Sequence, residues 1–177
     1  MPPSQRDWLK VSPDGFERIV VAELRQLGKA LKSFQVEHQA VLATPEGEFT
    51  MDAMATFEAL GSDFLVLVEC KHHKNPIKRE LVQVLSDKLT SSHAQKAMLF
   101  STAPFQSGAL ELAAARRIAL IHVTEGGPVW ETKGAGGPTG PNRAYDAHWV
   151  TMTDSGGVTY RFGGYEALAT WVFDAPA

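Results

Sequence analysis

The chain has a single cysteine, Cys70, in 177 residues, so it cannot form an internal disulfide and a reducing compartment is compatible with it. It has no apolar run approaching the roughly 18–20 residues of a membrane span. The stretch Met1-Pro2-Pro3-Ser4-Gln5-Arg6-Asp7 lacks the apolar segment of a signal peptide. The net charge is −3, which excludes a general polycation; any nucleic-acid contact has to come from a local basic patch. There is no internal repeat. There is no P-loop either, because Gly134-Ala135-Gly136-Gly137 lacks the following lysine and Ser/Thr. The expectation from these absences is a soluble, cytoplasmic protein that uses no membrane.

What is present suits one domain with a small appendage: an apolar fraction of 44% over 177 residues. Residues 1–125 are expected as the main domain. Residues 126–177 are expected as a Gly/Pro-rich loop, about 126–142, followed by a hairpin and a short helix. After a polar lead anchored by Trp8 and Leu9, Ser12-Pro13-Asp14 reads as a helix start, with Ser12 as the cap, Pro13 in the first turn and Asp14 at the positive dipole end. Phe16, Ile19, Val20, Leu24, Leu27 and Leu31 recur at helical spacing. Glu17 and Glu23 fall on or beside that stripe, where snorkelling or an arginine partner would account for them. Phe34 to Thr44 reads as a strand with Val36 and Val41 as its apolar positions. Phe49 to Phe57 reads as a second strand, with Phe49, Met51, Ala53, Ala55 and Phe57 on one face. Asp63 to Lys71 reads as a third, so the three form an antiparallel meander. A helix from about Pro76 to Ser92 should bury Ile77, Leu81, Val84, Leu85 and Leu89 and turn Lys78, Arg79 and Lys88 outward. The strand Ala97–Thr102, the helix Gln106–Arg117 and the strand Ile118–Val123 complete a helix–strand–helix–strand order, the crossover pattern of parallel pairing. Strands at His148–Thr153 and Val158–Phe162 should form a hairpin, followed by a helix over Tyr165–Val172.

The third strand holds the anomaly. Phe64 to Val68 is continuously apolar, as in a strand buried on both faces, yet it ends in Glu69-Cys70-Lys71. Side chains alternate along a strand, so Glu69 and Lys71 share a side, with Cα atoms about 6–7 Å apart. Charges at the mouth of a buried strand are costly unless paired or bound. Asp52, on the polar face of the second strand, comes within a side-chain length of them across the hairpin. Two carboxylates and a lysine at one sheet edge suit Mg²⁺ or Mn²⁺, with the lysine orienting or deprotonating a water. Each part also has a plain explanation, a surface ion pair for the ExK triplet and a solvated polar residue for Asp52; the combination is what points to chemistry. His72, His73, Lys74, Lys78 and Arg79 form a basic patch beside the triplet, either a solvated helix start or a set of phosphate contacts. Gln83 on the next helix would face the site and hold a phosphate or Lys71. Cys70, His72 and His73 do not form a zinc set, because alternation separates 73 from 70 and 72 and no second ligand pair exists. Cys70 reads as a small buried residue.

Several segments in order carry a family resemblance: Gly15-Phe16-Glu17-Arg18-Ile19-Val20-Val21-Ala22-Glu23-Leu24 with Leu27-Gly28, then Phe49-Thr50-Met51-Asp52, then Leu67-Val68-Glu69-Cys70-Lys71. Leu99-Phe100-Ser101-Thr102-Ala103-Pro104-Phe105 and Ala113-Ala114-Ala115-Arg116-Arg117-Ile118-Ala119-Leu120 follow. From about residue 13 to 124 the chain resembles the PD-(D/E)xK, or restriction-endonuclease-like, nucleases and is most similar to the Mrr-type catalytic domain. The resemblance implies an α/β fold with a mixed central sheet flanked by helices, and Mg²⁺-dependent hydrolysis of phosphodiesters. It implies Asp52 and Glu69 as metal ligands, helped by the Cys70 backbone carbonyl, and Lys71 as holder of the attacking water. Its helix-borne acid matches Glu17, with Glu23 as the fallback. Many Mrr-type domains have Gln where Glu69 stands, and residues 126–177 match nothing in the family.

The expectation is therefore a metal-dependent DNA endonuclease of restriction, defence or repair type, working as a homodimer or with a partner subunit. The rivals are a structure-specific or RNA-directed nuclease on the same fold and a catalytically silent nucleic-acid-binding or assembly module. Trp130, Tyr145, Trp149, Tyr160 and Trp171 are a candidate interface or substrate clamp.

Overall fold

The structure, a computed structural model, describes residues 8–125, 127–132, 150–153 and 159–162. Helix α1 (Pro13–Leu27) starts where its cap predicts: the Gly15 N–H donates to Ser12 Oγ at 3.1 Å. It buries Phe16, Val20, Val21 and Leu24, and the Trp8 ring packs edge-on to Phe16 with centroids 6.3 Å apart. Gly28 ends the helix against the Phe34 ring, so closely that a Cβ there would lie 2.2 Å from a ring carbon. That contact is made possible by the missing side chain and brings the chain back along the helix it has just left.

Strands β1 (Lys32–Thr44), β2 (Gly47–Ala59) and β3 (Ser62–Lys71) form the expected antiparallel meander. Helix α2 (Arg79–Ser91) and helix α3 (Ser107–Arg116) then alternate with β4 (Lys96–Ser101) and β5 (Ala119–Thr124), and β3, β4 and β5 pair in parallel. A further strand, β6 (Gly127–Thr132), returns antiparallel along β5. The six strands form one mixed sheet in sequence order. Strands β7 (Val150–Thr153) and β8 (Thr159–Phe162) form a separate antiparallel pair, the expected hairpin. The expected helix at 165–172 and the glycine run at 134–137 lie outside the described residues.

Helix α1 covers one face of the sheet, where Phe16, Val20 and Leu24 meet Ala53, Val68, Cys70, Phe100 and Ile121. Helices α2 and α3 cover the other, where Val82, Leu85, Ala109 and Leu112 meet Met51, Leu67, Leu99 and Leu120. Each large apolar side chain fully buried in these layers contributes about 1.5–3 kcal/mol. No helix of the described residues is long and apolar enough to cross a membrane.

Several expectations change. Residues 127–132 are strand rather than loop; Pro128 is accommodated because β6 is the last strand of the sheet, where a missing N–H removes no ladder bond from a further neighbour. Trp130, expected as part of an interface or substrate clamp, packs against the α1-side core. In β2, Phe49 and Met51 belong to the α2/α3 layer while Ala53 belongs to the α1 layer, so they do not share one face. The strand pair is distorted there: Gln39, between His38 and Ala40, which pair with Ala53 and Met51, has a left-handed backbone (φ 52°). On the same hairpin Val41 is 58% exposed rather than apolar core. Finally, α2 begins at Arg79, and Ile77 instead bridges to Phe105 between the loops that follow β3 and β4. The buried stripe of α2 runs through Val82 and Leu85, leaving Val84 53% exposed.

Candidate active site

The site forms where β2 and β3 part. Their ladder ends at Ala53 and Val68, while β3 continues as far as Lys71 alongside β4. Beyond the last pair the Cys70 N–H donates to Asp52 Oδ2 at 2.6 Å. The carboxylate takes the place of a backbone acceptor, which ties Asp52 to the strand end that carries Glu69 and Lys71. The far side of that strand end is pinned as well. The Thr102 N–H donates to Lys71 O at 3.1 Å, and Thr102 Oγ1 accepts from the His73 N–H and donates to His73 O.

Glu69 is gripped at both oxygens. Lys71 Nζ donates to Oε1 at 2.5 Å, and Lys88 Nζ, from α2, donates to Oε2 at 3.3 Å. All three side chains are largely buried. Burial pushes the Asp52 carboxyl above its ordinary value; the Cys70 N–H and Lys71 pull it back, and the charges of Glu69 and Glu17 raise it again. Burial opposes the Lys71 charge, but the hydrogen bond and charge of Glu69, with Asp52, outweigh it and hold the ammonium above its usual range. Lys71 is therefore a firm cation and hydrogen-bond donor. In the metal-free protein Glu69 holds Lys71 in the protonated, water-orienting form. Burial also drives the Cys70 thiol far up, so Cys70 offers neither a thiolate ligand nor a nucleophile.

Glu17 lies on α1 with its Oε2 hydrogen-bonded to His38 Nε2 of β1 at 2.8 Å. Histidine, not arginine, is its partner; Arg18 pairs with Asp14 at 2.8 Å. Glu17 is the α1 acid whose charge reaches Asp52, and Glu23 lies half-buried further along the helix. Asp14, Glu17 and His38 also bring three potential ligand atoms within 4.8 Å of one another.

The sequence that carries this geometry matches a known type of domain. A family model described as a restriction endonuclease, the Mrr catalytic domain, matches residues 8–125. The chain belongs to that family. The described residues of the Mrr-type domain form the mixed sheet with flanking helices expected of the restriction-endonuclease-like fold. A crystal structure described as a protein of unknown function, AF1548, is similar with a TM-score of 0.46 and 17% identity; the match covers 57% of this chain and 55% of that one. No curated protein matches the chain.

In this Mrr-type domain the sequence-read residues fall into two groups. Asp52, Glu69 and Lys71 converge, with Glu17 within electrostatic reach of Asp52. The basic patch does not join them uniformly: His73, Lys74, Lys78 and Arg79 are exposed, whereas the His72 ring packs edge-on against Phe16, centroids 5.7 Å apart, on the α1 side. Gln83 turns along its own helix and donates to Asp87 Oδ1 at 2.8 Å instead of facing Lys71. Lys88, expected outward, faces Glu69 with its side chain only 17% exposed. Lys88 follows buried Leu85 by three residues, so helical spacing already put it on the covered side. His38 had no comparable signal, because its partner lies on a different element 21 residues away.

The donor set fits a hard divalent cation. Asp52 and Glu69 offer carboxylate oxygens from adjacent strands, and Asp52 is held ionisable only against burial and two like charges, an arrangement that a cation would relieve.

Proposed function

We propose that this Mrr-type nuclease is a Mg²⁺- or Mn²⁺-dependent endonuclease that hydrolyses DNA phosphodiester bonds, with Asp52, Glu69 and Lys71 at its centre and Glu17 in support. The observation that carries this reading is the junction of β2 and β3: Asp52 is bonded to the Cys70 N–H at 2.6 Å, and Lys71 to Glu69 at 2.5 Å. Asp52, Glu69 and the Cys70 carbonyl would hold the cation. A divalent ion held there supplies Lewis-acid polarisation of the phosphoryl oxygen and a more acidic water. Lys71, kept protonated by Glu69, donates a hydrogen bond to the attacking water and offsets negative charge as it builds on the phosphate. Glu17, steadied by His38, adds a carboxylate from the α1 side. The exposed His73, Lys74 and Lys78 lie directly after the site strand and would engage phosphates along the duplex without reading bases. His72, packed on Phe16, has a supporting place behind them. Cutting both strands calls for two such centres, from a homodimer or a partner subunit.

Plasmid nicking tests the reading. Wild-type protein is expected to nick supercoiled DNA with Mg²⁺ and not with EDTA. Lys71→Ala and Asp52→Ala should each lower the rate by about 10²–10³-fold, the usual effect of removing one preorganised charge or donor. Undiminished cleavage by both variants would remove the site assignment. A parallel panel of duplex DNA, junction DNA and RNA separates the DNA endonuclease from its rivals on the same fold. Failure of wild-type protein to cut any of them would favour a binding module.

A further inference from the structure

Glu69 is the carboxylate expected to ligate a cation, yet both of its oxygens are already occupied by ammonium groups. The two grips differ. Lys71 sits two residues along the same strand and holds Oε1 at 2.5 Å. Lys88 arrives from the opposite layer and holds Oε2 at the longer distance of 3.3 Å. Its origin is rigid: α2 buries Val82, Leu85 and Ser86, and Leu89 packs against the same cluster. The ammonium is thus delivered to Oε2 by a fixed helix. A charge so deeply covered needs a partner, and the partner is Glu69.

We propose that Lys88 is a positioning residue that acts on the divalent cation through Glu69, occupying Oε2 in the metal-free protein and yielding that oxygen when the cation binds. The inference rests on the metal-dependent reading above and deepens it. A divalent ion ligated by Oε2 and an ammonium close to the same oxygen repel each other, so binding of the ion loosens the Lys88 contact and that contact in turn weakens binding of the ion. Lys71, two residues along the same strand as Glu69, stays with Oε1. Lys88 thereby sets how much free cation the site requires: it keeps Glu69 compensated and oriented when metal is scarce, and weakens metal binding by competing for it.

Calorimetric titration of metal-free, full-length protein with Mn²⁺, in the absence of DNA, reads this directly. Lys88→Met keeps the length and apolar stem and leaves Glu69 still paired with Lys71. It is expected to bind Mn²⁺ about five- to tenfold more tightly than wild type, whereas Lys88→Arg, which keeps the charge, should stay within about twofold. A merely structural lysine gives the opposite pattern, a lower melting temperature with unchanged or weaker Mn²⁺ binding, and that result overturns the proposal. Asp52→Asn identifies the site, since its Mn²⁺ heat should be lost. If wild type and Lys88→Met both bind no Mn²⁺, the metal reading fails and the proposal falls with it. If both bind equally, the proposal alone fails. Lys88→Gln carries the same measurement should Lys88→Met not fold.

Discussion

At the scale of single residues, Asp52 is placed against its own stability. Its carboxyl lies above the ordinary value of 3.8 because of burial first and the charges of Glu69 and Glu17 after it. A raised folded-state pKa means that the fold holds the proton more firmly than the unfolded chain. The associated stability is complete below pH 3.8 and is lost as pH rises through the raised folded value. At neutral pH ionised Asp52 is a net cost in the metal-free protein. Asp52→Asn keeps an oxygen to accept from the Cys70 N–H and removes the charge. It should raise the neutral-pH melting temperature of the metal-free protein, lose that advantage as pH falls towards 3.8, and abolish Mg²⁺-dependent cleavage. Melting curves from pH 3.5 to pH 8 in EDTA check this, taking the lower limit at about the carboxylate range; a lower neutral-pH midpoint for the variant would contradict it. The central triplet was legible in the sequence because charge at the end of an apolar strand breaks a simple rule. Lys88 was half legible: its spacing from Leu85 pointed inward, but its charge argued outward. His38 was hidden because its meaning depends on Glu17, which tertiary folding alone brings to 2.8 Å.

At the scale of elements, the turn from α1 into β1 sets where Glu17 and His38 meet, and it depends on Gly28. Its backbone is ordinary, φ −87°, so the requirement is space: an added Cβ would lie 2.2 Å from the Phe34 ring. Gly28→Ala forces that ring out and is expected to destabilise by about 1–3 kcal/mol, the range of overpacking. Urea unfolding measures it, and Phe34→Ala in the same chain should remove most of the loss, since the two changes share one contact. Equal losses with and without Phe34 would disprove the steric cause. Capping made the start of α1 readable, but periodicity carried its stripe on to Leu31, past the end of the helix at Leu27; the hairpin β2–β3 was read nearly in full. The errors have physical sources. Gly126-Gly127-Pro128 carries the composition of a turn, but an edge position tolerates a proline and β6 forms. Val41 and Val84 are apolar and exposed, and hydrophobicity alone does not decide which face of an element the rest of the chain will cover.

At the scale of the whole molecule, β6 joins the site to a stretch that the sequence placed in the appendage. Strand β5 lies beside β4, which in turn pairs with the site strand β3, so whatever secures β5 supports Glu69 and Lys71 at one remove. Strand β6 secures it with a side chain as well as a ladder. Buried Thr132 Oγ1 accepts from the Leu120 N–H at 3.0 Å and donates to Ile118 O at 2.7 Å. Thr132→Val keeps the shape and strands both backbone groups, which should cost about 1–3 kcal/mol. A chain ending at residue 125 removes the strand altogether. It leaves the β5 edge, bearing Leu120, Ile121 and Val123, without its neighbour, and such edges recruit other chains. The truncated protein should unfold at lower urea than one ending at 132 and elute partly as aggregate in size exclusion, with nicking activity falling in step with the folded fraction. Equal stability of the two lengths, or a Thr132→Val variant unchanged to within about 0.5 kcal/mol, would show instead that the catalytic unit closes at β5 and that β6 is an accessory to it.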